Sequence, residues 1–411
     1  MPQLQRKIYM NQDLKRLHPY PFERLRRLLA GEVGPAVLRA INLSIGEPKH
    51  PTPQFIKNAL LDNVNGLASY PTTAGLPQLR QTIAHWLGTR YGLLNIDFQT
   101  QLLPVTGSRE ALFSFAQVVL DRAKGGYVLC PNPFYQIYEG AALLGGAQPY
   151  FVNGIQTLDG TIDYTALPAQ VLLKTQLIYV CSPDNPTGRV MTLPEWRILF
   201  DLSAKYGFVI AADECYSEIY FRDSKPLGAL QAAIACGNDQ FERLMVFSSL
   251  SKRSNVPGMR SGFVAGDSAL IKAFLLYRTY HGSAMSPTIQ AASVAAWSDE
   301  AHVEENRALY REKFARVTPL IQQVLETALP DAAFYLWARI PENSGVTDDI
   351  AYAKNLFAAT GVTVLPGSFL ARETEQGNPG KNHIRIALVD TVDLCVEAAH
   401  RIVEFSSPYL S

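Results

Sequence analysis

Lys252 ends the stretch Ser248-Ser249-Leu250-Ser251-Lys252, directly after the apolar run Leu244–Phe247. A lysine just past a buried strand is desolvated, which lowers its amine pKa and frees a lone pair. Such an amine forms a Schiff base with a carbonyl compound, whereas a solvated loop lysine, the plainer reading, stays protonated and inert. Asp213 closes another apolar run, Phe208–Ala212. A carboxylate buried there is costly unless a cation meets it, and a protonated pyridine nitrogen would serve. Tyr216 follows closely, placed either to point at the same ligand or to sit in the core with its hydroxyl on the backbone. Arg260 lies just before the run Gly262–Ala265, where it can grip a phosphate as a fork or form an ordinary surface pair. Thr106-Gly107-Ser108-Arg109 joins a strand end to a helix start. Free backbone N–H groups there hold an anion, unless Ser108 merely caps the helix. Asn185-Pro186 makes a turn whose side-chain amide can donate to a ligand, and X-Pro bonds of this kind are sometimes cis.

These residues matter only if the fold makes them converge. From Gln101 to Gly266 short apolar runs alternate with segments of helical spacing, the grammar of an α/β domain. The expected strands are Gln101–Val105, Tyr127–Cys130, Leu177–Val180, Phe208–Ala212, Leu244–Phe247 and Gly262–Ala265, and the expected helices are Arg109–Leu120, Tyr135–Leu144 and Leu193–Tyr206. Runs this continuously apolar are buried on both faces, as in a mostly parallel sheet sandwiched by helices. In such a sheet ligands bind at the carboxyl ends of the strands, where several of the residues named above fall and to which Arg260, just before a strand, can return. Beyond about Ala291 the texture changes. A charged amphipathic helix is expected over His302–Leu325, then a strand at Ala333–Ala338, a helix at Ile350–Ala358, a strand at His383–Leu388 and a closing helix at Val392–Phe405. The change of texture predicts a large domain over 49–291 and a smaller α+β domain, with an N-terminal arm, from 1–48 and 292–411.

Composition narrows the class. The chain has 411 residues, 37 Lys+Arg against 37 Asp+Glu, and 47% hydrophobic residues. A disordered polymer and a nucleic-acid binder are both disfavoured by that balance, and the length exceeds what one core usually supports. The 5 cysteines form no C-x-x-C pair, so neither a disulfide framework nor a zinc ribbon is suggested, and no metal is expected. Met1–Leu14 has no apolar segment of the secretory type, and no apolar stretch is long enough to span a bilayer. A cytoplasmic protein with reduced thiols is the expectation.

Taken in order, Ser182-Pro183-Asp184-Asn185-Pro186-Thr187-Gly188, Ala212-Asp213-Glu214-Cys215-Tyr216, Ser249-Leu250-Ser251-Lys252, Pro257-Gly258-Met259-Arg260-Ser261-Gly262 and Ile384-Arg385-Ile386 resemble the class I/II aminotransferases of fold type I, which use pyridoxal 5′-phosphate. The resemblance runs from about Leu43 to the C-terminus. It implies that Lys252 carries the cofactor and moves a proton, and that Asp213 pairs with the ring nitrogen. Asn185 and Tyr216 would bond its phenolic oxygen, while Tyr135, in Asn132-Pro133-Phe134-Tyr135, would stack on the ring. Ser108, Arg109, Ser249, Ser251 and Arg260 would hold its phosphate. Tyr70, in Ser69-Tyr70-Pro71, resembles a tyrosine that reaches the neighbouring subunit's phosphate, which implies a homodimer with shared sites. Arg385 resembles the arginine that grips the substrate α-carboxylate, with Gly46 of Ser44-Ile45-Gly46 beside it. The implied reaction is a ping-pong exchange of an amino group between an amino acid and a 2-oxo acid.

Three further stretches, Leu17–Leu25, Tyr277–Ser286 and Leu365–Arg372, are similar to those of succinyldiaminopimelate aminotransferases of lysine biosynthesis. These exchange an amino group between glutamate and an N-succinylated 2-amino-6-oxopimelate. Both substrates carry an extra carboxylate, for which Arg278 and Arg372 are candidates; the plainer reading of each is a surface or interface ion pair. A class I aminotransferase for aspartate, alanine or an aromatic amino acid is an alternative, and so is a lyase acting at Cβ, because the same residues serve several reactions. Ser249-Leu250-Ser251-Lys252 also fits the S-x-x-K acylating-serine motif, but the S-D-N and K-T-G companions are absent from the sequence. A ligand-sensing regulator would need a DNA-binding segment, and none is evident.

Overall fold

A computed structural model describes residues 10–93, 95–154, 160–342 and 348–407. The ends of the sequence-predicted small domain, including most of the Met1–Leu14 segment, lie outside the described residues. Seven strands make the large sheet: β1 (Leu102–Val105), β2 (Tyr127–Asn132), β3 (Gln148–Asn153), β4 (Thr175–Cys181), β5 (Val209–Asp213), β6 (Leu244–Ser249) and β7 (Gly262–Gly266). Their order is β1-β7-β6-β5-β4-β2-β3. Only β7 runs against its neighbours, β1 and β6; the remaining pairs are parallel.

Alternating side chains along the strands feed two cores. Ile178, Ile210 and Val246 face one layer with Trp86 and Trp196; Leu177, Ala211 and Met245 face the other with Phe115 and Tyr138. The helix Leu193–Tyr206 shows how local signals fix a boundary. Thr192 and Glu195 form a reciprocal capping box, and Gly207 takes the left-handed conformation that stops it.

Strand β3 is not among the expected strands. It is an edge strand reading Gln-Pro-Tyr-Phe-Val-Asn and mostly half-exposed, so it lacks the continuous apolar signature of the inner strands. The expected helix over His302–Leu325 is Ala301–Ile321, unwinding within a turn of Pro319, which has no N–H to give. Two helices, Ser268–His281 and Pro287–Ser298, fill the region after β7. A second, antiparallel sheet comprises β8 (Tyr335–Arg339), β9 (Leu365–Pro366) and β10 (His383–Ala387), in the order β9-β10-β8. It packs its own core with the helices Asp349–Thr360 and Val392–Ser406. The N-terminal segment joins this sheet region through a parallel pairing of Ile41 and Asn42 with Val362 and Thr363.

The topology explains convergence. The carboxyl ends of the six like-directed strands fall on one edge of the large sheet, and the register pairs Gly262, the start of β7, with Val105 and Ser249, the ends of β1 and β6. Arg260, two residues before β7, is thereby delivered to the edge that also carries Asp213 and Lys252. No described helix is long and apolar enough to cross a membrane.

Candidate active site

A cavity of about 490 Å³ opens at this edge, walled by Tyr20, Phe22, Ile45 and Gly46 from the N-terminal segment and by Tyr335 and Arg385 from the second sheet. Ser108, Arg109, Tyr135, Asn185, Asp213, Tyr216, Ser249, Ser251, Lys252 and Arg260 line it from the large sheet. Of the residues singled out by sequence, Tyr70, Arg278 and Arg372 are not brought to it.

Asp213 is the last residue of β5 and is buried. Its carboxylate accepts from the Tyr138 hydroxyl at 2.9 Å and from the Cys215 backbone N–H at 3.2 Å. Burial nevertheless holds its pKa above the usual carboxylate range, so a cationic partner would be strongly favoured here. Lys252 sits in the short helix Leu250–Arg253 after β6, capped by Ser249. Its Nζ donates to the Gly46 carbonyl at 3.0 Å, and burial lowers its pKa to about 8. The amine therefore loses its proton far more readily than a solvated lysine and becomes mostly neutral above about pH 8. Gly46 has no substitute: a Cβ there would fall 1.9 Å from the Tyr335 hydroxyl.

The end of the cavity expected to take a phosphate is built around Gly107 and the helix Ser108–Val119. Gly107 has φ of 102°, and a Cβ on it would lie 2.1 Å from Arg260 Nη2. Arg260 donates to Glu110 at 3.1 and 2.5 Å. Ser249 Oγ accepts from the Ser251 N–H at 3.0 Å and donates to Ser261 O at 3.2 Å. Arg109 Nε donates to the Tyr135 hydroxyl at 2.7 Å, fixing that ring on the cavity wall.

Arg385, in the middle of β10, donates to Asn185 Oδ1 and to the Ser44 carbonyl, both at 2.8 Å. Its Nε is buried without a partner, an open donor suited to a carboxylate. Because Asn185 accepts through its oxygen, its NH₂ is left to donate. Asn132-Pro133, Ser182-Pro183 and Asn185-Pro186 are cis.

Arg278 does not meet the expectation of a distal carboxylate ligand on this cavity. It belongs to the buried stripe Ile271, Phe274, Arg278 of its helix, and its guanidinium donates to Pro104 O at 2.6 Å and Ser283 O at 2.7 Å. Arg372 pairs with Glu139, at 2.9 and 2.6 Å. Tyr70 is fully exposed on the described chain. Sequence reading missed Tyr138 and Tyr335. Tyr335 pairs its hydroxyl with that of Tyr216 at 3.0 Å and carries Arg385 over its ring at 4.3 Å. Tyr138 lies within an expected helix, and only the register against β5 reveals its partner.

This donor set fits pyridoxal 5′-phosphate. A helix N-terminus and Arg260 suit its phosphate, Asp213 its ring nitrogen, and Lys252, with its lowered pKa, its aldehyde. The sequence model for aminotransferase class I and II matches residues 39–402. An LL-diaminopimelate aminotransferase of Dehalococcoides mccartyi is 30% identical over 403 residues, covering 97% of this chain and 99% of that protein. Among solved structures, an aminotransferase from Neisseria meningitidis is 55% identical with a TM-score of 0.93, covering 97% of this chain and 100% of that one. A probable N-succinyldiaminopimelate aminotransferase from Thermus thermophilus is 26% identical with a TM-score of 0.79, covering 90% of this chain and 95% of that one.

Proposed function

The chain belongs to the class I and II aminotransferases, which depend on pyridoxal 5′-phosphate, and from that premise we propose that it transfers an amino group between glutamate and N-succinyl-2-amino-6-oxopimelate in diaminopimelate and lysine synthesis. The observation that carries the choice of substrate is the meeting of two distant stretches. Leu17–Leu25 and Leu365–Arg372, singled out by their likeness to succinyldiaminopimelate aminotransferases, pack into one apolar cluster through Leu25, Leu365, Phe369 and Leu370 with Phe22. Phe22 and Leu370 of that cluster line the cavity. The third stretch, Tyr277–Ser286, supports the phosphate-facing turn from behind, with Ser283 Oγ 2.5 Å from Thr106 Oγ1.

Bound cofactor supplies an electron sink for the carbon that bears the amino group. The residues then have separate tasks. Arg385 fixes the plane of the substrate α-carboxylate, with Asn185 and the Ser44 carbonyl holding the guanidinium. With the cofactor bound, Lys252, freed as a neutral amine, would take the proton from the amino-bearing carbon and hand it to the cofactor carbon that keeps the amino group. Asp213, held by Tyr138 and the Cys215 N–H, stabilises positive charge on the ring nitrogen. Tyr216 and the Asn185 amide donate to the phenolic oxygen. Ser108, Arg109, Ser249, Ser251 and Arg260 anchor the phosphate. Residues 49–291 form the large cofactor-binding domain, with 1–48 and 292–411 as the smaller one. The enzyme acts in the cytoplasm as a homodimer whose exposed Tyr70 completes the neighbouring subunit's phosphate site; Leu61, Val64 and Leu67, exposed nearby in sequence, supply apolar contact area.

The relatives named for LL-diaminopimelate favour a second reading, in which the unsuccinylated amine is the donor. One assay separates them: 2-oxoglutarate is supplied with N-succinyl-LL-diaminopimelate or with LL-diaminopimelate, and glutamate is measured. A higher kcat/KM for the succinylated donor supports the first reading; a higher value for the free diamine replaces it.

A further inference from the structure

Tyr20, Phe22 and Leu370 face the central cavity. Residues two positions away in the same two segments, His18, Arg24, Ser368 and Arg372, line a second cavity of about 280 Å³. Its charges are unequally satisfied. Arg372 is committed to Glu139, and the rim acid Glu373 faces Lys381 at 3.5 Å. Arg24 is half-buried, with its guanidinium 3.9 Å from the centroid of the Phe369 ring. Its side chain makes no hydrogen bond or ion pair among the described residues. The acid whose field reaches it, Asp349, already accepts from the Ser368 N–H at 2.9 Å and the Asn382 N–H at 3.3 Å. Burial, and then the neighbouring Arg372, both lower the pKa of Arg24. Ser368 adds a buried hydroxyl that stands beside the Asp349 carboxyl without being held in a hydrogen bond. The guanidinium fork is open and the hydroxyl can turn from Asp349, so this half-dry cavity holds donors that an incoming acceptor can take.

We propose that this cavity is a carboxylate subsite for the end of the substrate's acyl arm, with Arg24 as the fork and Ser368 as the second donor. The assignment rests on the succinylated substrate proposed above, and it explains why the stretches at both ends of the chain are needed. An arm that passes Phe22 and Leu370 brings the missing acceptor. Arg372, paired with Glu139, supplies no free charge to the cavity.

The test has a kinetic and a binding arm, both on the holoenzyme. In Arg24→Gln, the preference for N-succinyl-LL-diaminopimelate over LL-diaminopimelate, as a ratio of kcat/KM, falls about tenfold through KM, and Arg24→Lys recovers part of it. In calorimetry, N-succinylglycine, which has no transferable amine, binds wild type more tightly than N-acetylglycine does. That difference shrinks about tenfold in Arg24→Gln and less in Ser368→Ala. If wild type turns over neither diamine yet binds N-succinylglycine through Arg24, the subsite stands and the substrate assignment falls. If wild type prefers the succinylated donor and Arg24→Gln changes neither arm, the assignment stands and the subsite is overturned. Loss of both the preference and the binding difference in wild type overturns both.

Discussion

In the central cavity, Asp213 and Lys252 at the strand ends of the large sheet and Arg385 on the second sheet are tied down, to Tyr138 and Cys215, to Gly46, and to Asn185 and Ser44 respectively. Along the wall made by residues 18–24 and 368–373, Arg24 is half-buried and the hydroxyl of Ser368 is unmatched. The first region carries steps common to many amino-group transfers, which demand fixed geometry. The second, on the proposed reading, faces the part of a substrate that differs from one enzyme to another. There, donors left open by the protein wait for an acceptor brought by the ligand. Overall neutrality of the chain conceals this division, since the cations that matter are concentrated locally.

The comparison breaks most severely at Lys252. Replacing it with Ala should reduce turnover with glutamate by about 10³-fold, the scale of losing a positioned acid–base group, and rapid-mixing kinetics would read it. Arg385→Lys should cost about 10–100-fold in kcat/KM for glutamate and for either diamine alike, because the lost fork serves the carboxylate common to all of them. An effect confined to one substrate would erase the boundary between the two regions. Tyr138→Phe removes one hydrogen bond to Asp213 and should lower kcat about fivefold, about 1 kcal/mol. Arg278→Met should leave donor preference unchanged while lowering stability by about 1–3 kcal/mol, read in urea melts, because two carbonyls lose their donor. A changed preference would return Arg278 to the substrate site.

The pH dependence sharpens the same contrast. The folded pKa of Lys252 is depressed from its ordinary 10.5 to about 8. Between those values the unfolded chain binds more protons, so cofactor-free protein gains stability as pH rises through that window. Cofactor capture, followed by absorbance after mixing, should accelerate with pH and level off above about 8.

Much of the first region was legible in the sequence because its residues sit at the ends of apolar runs. Asp213 and Lys252 are found by asking what a polar residue does just past a buried strand, and Arg260 by asking what precedes one. Helix boundaries were readable where caps exist, as at Thr192 and Gly207. Edge strand β3 was not, because half-exposed residues carry a mixed pattern. Tyr138 and Tyr335 escaped because their roles depend on register between elements far apart in sequence. Arg278 illustrates the opposite failure. Its helical spacing with Ile271 and Phe274 marks a buried stripe, whereas reading it as a free cation ignored that spacing. Arg24 drew no notice within Leu17–Leu25, since nothing local shows that a surface-type arginine will lack a partner.

The central claim is that Lys252 holds the cofactor over Asp213 with a substrate carboxylate on Arg385. Spectral titration of the purified holoenzyme with glutamate tests it most directly. The account predicts a cofactor absorption band that moves as glutamate is added, at lower concentrations than in Arg385→Lys, and that is absent from Lys252→Ala. A colourless protein that does not respond to added pyridoxal 5′-phosphate, or a glutamate-dependent shift that survives unchanged in Lys252→Ala, would contradict it.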